Sequence, residues 1–380
     1  MNSGDKTYIW QLDNWPQWQF DLSALAGPLA AVSGAQGHLY GRLADVGLAL
    51  REQATLMALT SEVLKTSEIE GEQLNADSVR SSIARRLGVD IGALAAVDRN
   101  VDGVVDMVLD ATARCHAPLT AQRLFGWHAA LFPTGYSGLH PIAVGQWRDD
   151  RSGDNEEPMQ VVSGAYGRQK VHFEAPGAGV LPAETERFLE WFNADAAMPP
   201  LVKAGLAHLW LVTLHPFDDG NGRIARAVGE MALARCEQAP QRFYSLSAQI
   251  QRERSDYYSQ LERTQKGAMD VTPWLQWFLG CLLRAVQGAG TTVDHVLVKA
   301  RFWQRWAGTA MNERQIKLVN RLLDGFEGKL TSSKWALIAK CSADTALRDI
   351  NELVQLGALC KSESGGRSTS YELGDVSLSH

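Results

Sequence analysis

Residues 201–214 form an almost wholly apolar run that stops at His215-Pro-Phe-Asp-Asp-Gly-Asn-Gly-Arg-Ile-Ala-Arg226. The pattern dictates a helix, a tight glycine-bent loop and a second helix from about 223 to 235. Gly220 and Gly222 open backbone conformations closed to other residues, so successive N–H groups can point at one spot where the second helix begins. A helix start favours negative charge, and Arg223 and Arg226, three apart, lie near one another on its first turn. Two guanidiniums and a nest of amides imply more than one phosphate. Asp219 inside such a cationic site would be repelled by phosphate unless a cation mediates, which points to Mg²⁺ bridging carboxylate and phosphate oxygens. His215, where the preceding helix ends, can take a proton from an incoming nucleophile near neutral pH. Phe217 reads as the loop's anchor in the core.

The segment GNGRIAR also matches the dinucleotide fingerprint G-x-G-x-x-A. That fingerprint requires a preceding strand within βαβ units, whereas this region reads as all helix, and the chain holds no P-loop sequence. Further helices fit 42–70, 101–114, 120–131, 183–193, 247–265 and 272–287, with no internal repeat. Between 145 and 176 the period changes. Residues 160–163 and 170–174 read as a hairpin joined by Gly164, Tyr166 and Gly167, the one clear β element in the middle of the chain. Residues 288–295 read as a weak linker. From 312 to 373 the order is helix, helix, helix and two short strands about Gly365 and Gly366, which suggests a winged helix-turn-helix.

At 380 residues the chain exceeds what one core usually serves, so two or three domains are expected. With 45% hydrophobic and 21% charged residues it reads as globular. No apolar run reaches the roughly 20 residues of a membrane span, and the first residues lack the order of a signal peptide. Five scattered cysteines with no C-x-x-C pair argue against a disulfide framework or a zinc site, and the cytoplasm is the expected compartment. A net charge of -6 argues against a polyanion-binding role for the chain as a whole and leaves room only for a local basic patch.

HPFDDGNGRIAR resembles the Fic motif HPFx(D/E)GNGRxxR, with every fixed position filled. The resemblance runs from about 97 to 285, through GQWR before the hairpin and YYSQLERTQKG and PWLQWFL after the motif. The Trp-rich start and the C-terminal end look like the bacterial Fic subfamily with an N-terminal domain of unknown function and a C-terminal winged helix. The family implies a mainly α fold with a Fic core and a β-hairpin flap, and transfer of AMP from ATP to Tyr, Thr or Ser hydroxyls of target proteins or of the chain itself. Carried onto this sequence, His215 is the base and Asp219 holds Mg²⁺. Asn221 and the amides near Gly220 and Gly222 cradle the α and β phosphates, and Arg223 and Arg226 take the β and γ phosphates. Tyr258 and Gln265 are candidates for the adenine pocket, packing being the other reading of Tyr258. The hairpin resembles the family's flap, on which Val161, Val162, Val171 and Phe173 would align a target segment. These four could equally be ordinary strand residues covering a helix.

Residues 66–71, TSEIEG, look like the Fic inhibitory motif: Ser or Thr, three residues, Glu, then Gly or Asn. Leu56, Leu59, Val63, Thr66 and Glu70 share one helical stripe, which turns the carboxylate inward, and Gly71 reads as the helix stop. A carboxylate at a helix C-terminus opposes the dipole unless a cation is at hand, and Arg226 is the expected cation. Glu70 could instead orient a water that removes AMP. The expected parts are 1–96, with the inhibitory helix at about 56–71, a Fic core at 97–290, and 291–380 as linker and winged helix. Trp10, Trp15, Trp18 and Phe20 form either a homodimer surface or a packing surface within one chain. Residues 311–380 carry nine Lys or Arg against nine Asp or Glu. The presumed recognition helix, Ala343 to Leu356, has Asp344, Asp349 and Glu352 against Arg348 alone, which favours protein or self-association over DNA, with Lys361 and Arg367 on the wing as the remaining contacts. Two other functions stay open: transfer of another phosphate-linked group, and a nucleotide-sensing DNA-binding regulator.

Overall fold

Apolar stripes at helical spacing dominate the chain, and helices are what they form. The computed structural model describes residues 8–44, 47–91, 94–149, 151–152, 155–156, 158–164, 168–195, 197–237, 241–323, 326, 328–362 and 369–374. Tyr166 and Gly167 of the expected hairpin turn, and Gly365, Gly366 and Arg367 of the C-terminal hairpin, lie outside the described residues. The chain divides into two compact units, Met1–Ala289 and Gly290–His380.

The first unit begins with α1 (Leu22–Ala44), α2 (Leu48–Ile69), α3 (Ala76–Leu87), α4 (Arg99–Ala113) and α5 (Ala121–Leu131). Three short hairpins follow: β1 (Tyr136–Ser137) with β2 (His140–Pro141), β3 (Arg151–Ser152) with β4 (Asn155–Glu156), and β5 (Gln160–Ser163) with β6 (Lys170–Glu174). Then come α6 (Leu181–Asn193), α7 (Pro200–Leu214), α8 (Asn221–Glu237), α9 (Leu246–Arg252), α10 (Arg254–Gln265) and the first half of α11 (Thr272–Arg305), a helix within which the division falls. The second unit holds α12 (Glu313–Leu323), α13 (Ser332–Ala339), α14 (Ala343–Leu356) and the hairpin of β7 (Leu359–Lys361) with β8 (Tyr371–Leu373) around Leu318, Trp335 and Ile350.

The mainly helical class and the helix, helix, helix, hairpin order after 312 agree with the sequence reading, and several boundaries do not. The single helix expected over 42–70 is two, because Gly47 takes an extended conformation as the N-cap of α2. Helix α1 was hidden by Pro28 and four glycines, which lower helix propensity; burial of Leu25, Val32, Leu39 and Leu43 overrides that preference. The helix expected over 247–265 breaks at Glu253. The hairpin at 160–174 is joined by two others too short to leave a period in the sequence. Residues 288–295 are not a linker but part of α11, since Gly288 and Gly290 each cost a helix only about 1 kcal/mol and the buried stripe continues through Ala285, Val286, Val293 and Leu297. The aromatic start packs within its own unit. Trp15 and Trp18 lie edge-on to each other and to Trp210 of α7 at 5.0–6.0 Å, and Trp15 donates to Glu184 of α6 at 2.9 Å.

Candidate active site

Every residue of α7 from Leu201 onward is buried except Lys203, as befits a helix apolar on all sides. It packs against α8, and the loop between them carries the motif. The helix stops because His215 adopts φ +49°, ψ 55°, a left-handed conformation that costs a non-glycine residue of order 1 kcal/mol and persists only when its surroundings impose it. Here they do. The His215 carbonyl accepts from Arg148 Nε at 2.8 Å, the Pro216 carbonyl accepts from the Arg148 amide at 3.0 Å, and the same buried guanidinium reaches the Pro176 carbonyl. Phe217 is fully buried and stacks on His128 with centroids 4.3 Å apart. The Asn221 side chain closes the loop: its Oδ1 accepts from the Phe217 amide at 2.9 Å and its Nδ2 donates to the Phe217 carbonyl at 2.7 Å. Gly220, at φ +78°, starts α8 in a position where a Cβ would lie 2.9 Å from the Phe132 ring.

The loop presents His215 in a defined tautomer. Its Nδ1 lies 3.1 Å from the Val212 carbonyl oxygen, which can only accept, so Nδ1 carries the proton and Nε2 keeps its lone pair. Burial pushes the imidazole below its ordinary 6.5, and Arg148 adds to that, while the Val212 carbonyl, Glu70 and Asp219 pull the other way. The ring is therefore neutral near pH 7. Asp219 accepts from its neighbour's amide, Gly220, at 2.6 Å and from the Ser137 hydroxyl. Asp218 accepts from the Ala143 amide at 2.7 Å. Among the described residues no group of three or more His, Cys, Asp or Glu could hold a metal ion. One carboxylate beside a hydroxyl is nonetheless a hard-oxygen donor set, and Mg²⁺ is commonly held by one or two carboxylates with substrate phosphates completing its shell. The residues fit a cation that shares its ligands with a polyphosphate.

Both motif arginines are already engaged. Arg226, 2% exposed, donates from Nε to Thr66 Oγ1 and from Nη2 to the Thr66 carbonyl, each at 2.8 Å, and its Nη2 lies 2.8 Å from Glu70 Oε1. Burial alone would lower the guanidinium pKa, but Glu70 together with Tyr257 and Tyr258 outweighs it and the net shift is upward. Burial, helped by Arg226, lowers His208 to about 3, so that imidazole is neutral. His208 Nε2 is hydrogen-bonded to the Tyr257 hydroxyl at 2.9 Å. Glu70 also overlies the first turn of α8, where a Cβ on Gly222 would meet its carboxylate carbon at 2.9 Å. Arg223 Nη1 lies 2.6 Å from Glu72 Oε2, and its guanidinium stacks over Phe132 at 5.1 Å. The end of α2 is thus docked on the cationic start of α8. Arg254 Nε and the Tyr258 hydroxyl donate to the Ile69 carbonyl at 2.8 and 3.3 Å, and Glu62 accepts from the Ser245 and Ser247 hydroxyls to tie α2 to α9.

His215, Asp219, Gly220, Gly222, Arg223, Arg226 and Glu70 are therefore gathered at one loop. The Asn221 amide uses both its groups on Phe217 and so shapes the loop. Tyr258, 37% exposed, meets the end of α2, and Gln265 is buried with its amide 3.2 Å from Thr213 Oγ1. In the hairpin of β5 and β6, Val161 pairs with Phe173 and Val162 with Val171. Phe173 is buried against Tyr8, whereas Val162 is 40% exposed. His172 of β6 bonds Glu262 of α10 at 2.7 Å and holds the hairpin down. Sequence reasoning missed Glu72, Arg148 and Ser137. Glu72 carried a signal, an acid two residues past Glu70 across the helix-stopping glycine. Ser137 and Arg148 meet the loop only through tertiary structure.

Residues 118–233 match the Fic/DOC family, and residues 8–89 match a domain of unknown function, DUF4172. The chain is 33% identical over 132 residues to a protein named protein adenylyltransferase Fic from Culex quinquefasciatus, covering 33% of this chain and 25% of that protein. It is 32% identical over 126 residues to the protein of the same name from Drosophila ananassae, covering 32% of this chain and 24% of the other. The chain thus spans about a quarter of the length of these relatives. A crystal structure of a Fic family protein from Desulfovibrio desulfuricans is similar in fold, with a TM-score of 0.50 and 20% identity, over 91% of this chain and 95% of that one. Among the described residues no helix is long and apolar enough to cross a membrane. Residues 118–233 are a Fic/DOC domain, set in a chain whose fold is similar to that of a Fic family protein.

Proposed function

We propose that this protein is an adenylyltransferase that moves AMP from ATP to a hydroxyl of a protein, its own chain included, and that the docked end of α2 holds it at rest. The observation that carries the reading is the His215 tautomer: an imidazole whose Nδ1 is bonded to Val212 has Nε2 left to accept a proton, in the loop that leads into the helix start carrying Arg223 and Arg226. In the reaction His215 Nε2 takes the proton of the target hydroxyl, whose oxygen attacks the α phosphorus. The bond from that phosphorus to the bridging oxygen breaks, and pyrophosphate leaves with the charge that Arg223 and Arg226 are positioned to hold. Asp219 would hold Mg²⁺, which when bound neutralises phosphate oxygens. Glu70 supports autoinhibition, because an Arg226 paired with a carboxylate cannot also take the γ phosphate, and ATP is left unproductively placed. The exposed Val162 on β5 supports a flap that aligns a target segment as an added strand, while the buried Phe173 anchors it.

The C-terminal unit is read as a winged helix. The case against DNA weakens on one count, since Asp349 on α14 is buried and paired with Arg314 at 2.8 Å, so its charge does not face a duplex.

Intact-mass spectrometry tests the main reading. Glu70→Gly incubated with ATP and Mg²⁺ gains the mass of AMP, and the same chain with His215→Ala added binds ATP but gains nothing. Equal labelling with and without His215 removes the base, and an adduct of another mass replaces AMP with a different phosphate-linked group.

A further inference from the structure

Glu72 lies one residue beyond the inhibitory pattern, yet it is positioned as firmly as Glu70. Helix α2 ends with Gly71 at φ +87°, whose amide donates to the Glu68 carbonyl at 3.0 Å, while the Glu72 amide donates to the Ser67 carbonyl at 3.1 Å. These are the two backbone bonds of a Schellman turn, which satisfies the helix's last carbonyls and folds the chain back on itself. The residues on either side of the glycine consequently reach the same face of α8. Glu70 meets Arg226, and Glu72 meets Arg223, whose side chain is 7% exposed.

The fit is incomplete in a way that points to a ligand. Arg226 Nη1 and Arg223 Nε are buried donors without an acceptor among the described residues. A carboxylate offers two oxygens, and each of these is used on one edge of a guanidinium. Linked phosphates offer more oxygens and more charge, so a polyphosphate lying across both arginines can satisfy donors that the carboxylates leave open.

We propose that Glu72 is a second inhibitory carboxylate, which holds Arg223 as Glu70 holds Arg226. The two together occupy the places of two linked phosphates. A polyphosphate must displace both, and freeing Arg226 alone leaves the site partly held. The inference deepens the reading of this site as one for a nucleoside triphosphate and rests on it.

The test uses the full chain and three variants, Glu72→Gln, Glu70→Gly and the double variant, with inorganic pyrophosphate and ATP as probes in calorimetry with Mg²⁺. Because Glu72 is 40% exposed, its pair with Arg223 is of the weaker, partly screened kind. Glu72→Gln should therefore tighten pyrophosphate binding about threefold to fivefold in the Glu70→Gly background, and AMP labelling at sub-saturating ATP should rise by a similar factor. Glu68→Gln is the control, since Glu68 shares the helix end but bonds Lys65 and Gln251. It removes the same charge without freeing an arginine. If Glu72→Gln tightens binding no more than Glu68→Gln does, the second lock is refuted. Should Glu72→Gln fail to fold, Glu72→Ala gives the same comparison. If pyrophosphate binding tightens as expected while no variant transfers AMP, the lock stands and the transferase reading falls.

Discussion

Asn221→Ala separates a residue that faces a ligand from one that builds the loop. The Asn221 side chain is 3% exposed and makes two hydrogen bonds to one residue, accepting from the Phe217 amide at 2.9 Å and donating to its carbonyl at 2.7 Å. Alanine removes both partners and leaves a buried N–H and a buried C=O unmatched, each costing about 1–3 kcal/mol. Water entering the vacated space would recover part of this, so the net loss should be about 2–4 kcal/mol. At about 2–3 °C per kcal/mol for a unit of this size, the melting temperature should fall by about 4–12 °C without any nucleotide present. Asn221→Asp should be no milder, because it keeps the acceptor for the amide but sets a carboxylate oxygen against the Phe217 carbonyl. Scanning calorimetry of the nucleotide-free chain reads the shift. A residue whose only work is to touch phosphate would lose ATP affinity and leave the melting temperature unmoved. That outcome would refute the loop-clamp argument.

Three other expectations concern charge. Glu70→Gly frees a guanidinium that is 2% exposed from a carboxylate that is 32% exposed, and a coupling of about 1.5–3 kcal/mol for such a pair corresponds to a rise of about 10–100-fold in AMP transfer; a rate within twofold of the unmodified chain would remove Glu70 from inhibition. In that activated variant the pH profile should keep its acid limb below 6.5, because the base works neutral and burial depresses its pKa; a limb centred above 7 would contradict the buried, Arg148-flanked imidazole. Glu262 is held down to about 2 by its bonds to Lys266 on its own helix and to His172 of β6, so the part His172 supplies to docking the hairpin is complete above the ordinary carboxylate range and disappears as pH falls towards about 2. Glu262→Gln should accordingly speed hydrogen exchange in β5 and β6 at neutral pH, and unchanged protection there would show that the hairpin is anchored by Phe173 and the Trp10 bond to the Glu174 carbonyl without Glu262.

What could be read from the sequence was what depends on neighbours along the chain. The motif from His215 to Arg226 is twelve contiguous residues whose glycines and arginines act within one loop and one helical turn, so their gathering follows from local geometry. The stop at Gly71 and the inward stripe of Leu56, Leu59, Val63 and Thr66 are local for the same reason. Helix α1 was not legible because tertiary burial, and not propensity, holds its glycine-rich sequence. Asn221 reads two ways in the sequence, because an amide that faces phosphate and an amide that clamps the loop's backbone have the same context; its bonds to Phe217 appear only in the fold. Arg148 was missed because its partners, the carbonyls of His215, Pro216 and Pro176, are backbone atoms and leave no trace in residue type.

The placement of α2 implies that inhibition and nucleotide binding are one equilibrium. A helix C-terminus carries partial negative charge on its last carbonyls, and here those of Thr66 and Ile69 accept from Arg226 and Arg254 while the two glutamates add full charges beside them. The docked helix end is, in electrostatic terms, an anion bound where a polyphosphate would bind. Whatever free energy the guanidiniums give to α2 they withhold from the nucleotide, and by linkage a nucleotide that claims them must loosen α2 by the same factor. Glu62, fixed to Ser245 and Ser247 on α9 two turns back, ties α2 down through groups remote from those guanidiniums. Loss of that tether by Glu62→Gln should therefore favour the nucleotide without altering any group that touches it. ATP affinity measured by calorimetry should rise in Glu62→Gln, and the rise should be smaller when Glu62→Gln is added to a chain already lacking Glu70 and Glu72, where Thr66 alone still holds Arg226. An undiminished rise in that triple variant would mean that the tether acts on the site by some route other than the docked helix end.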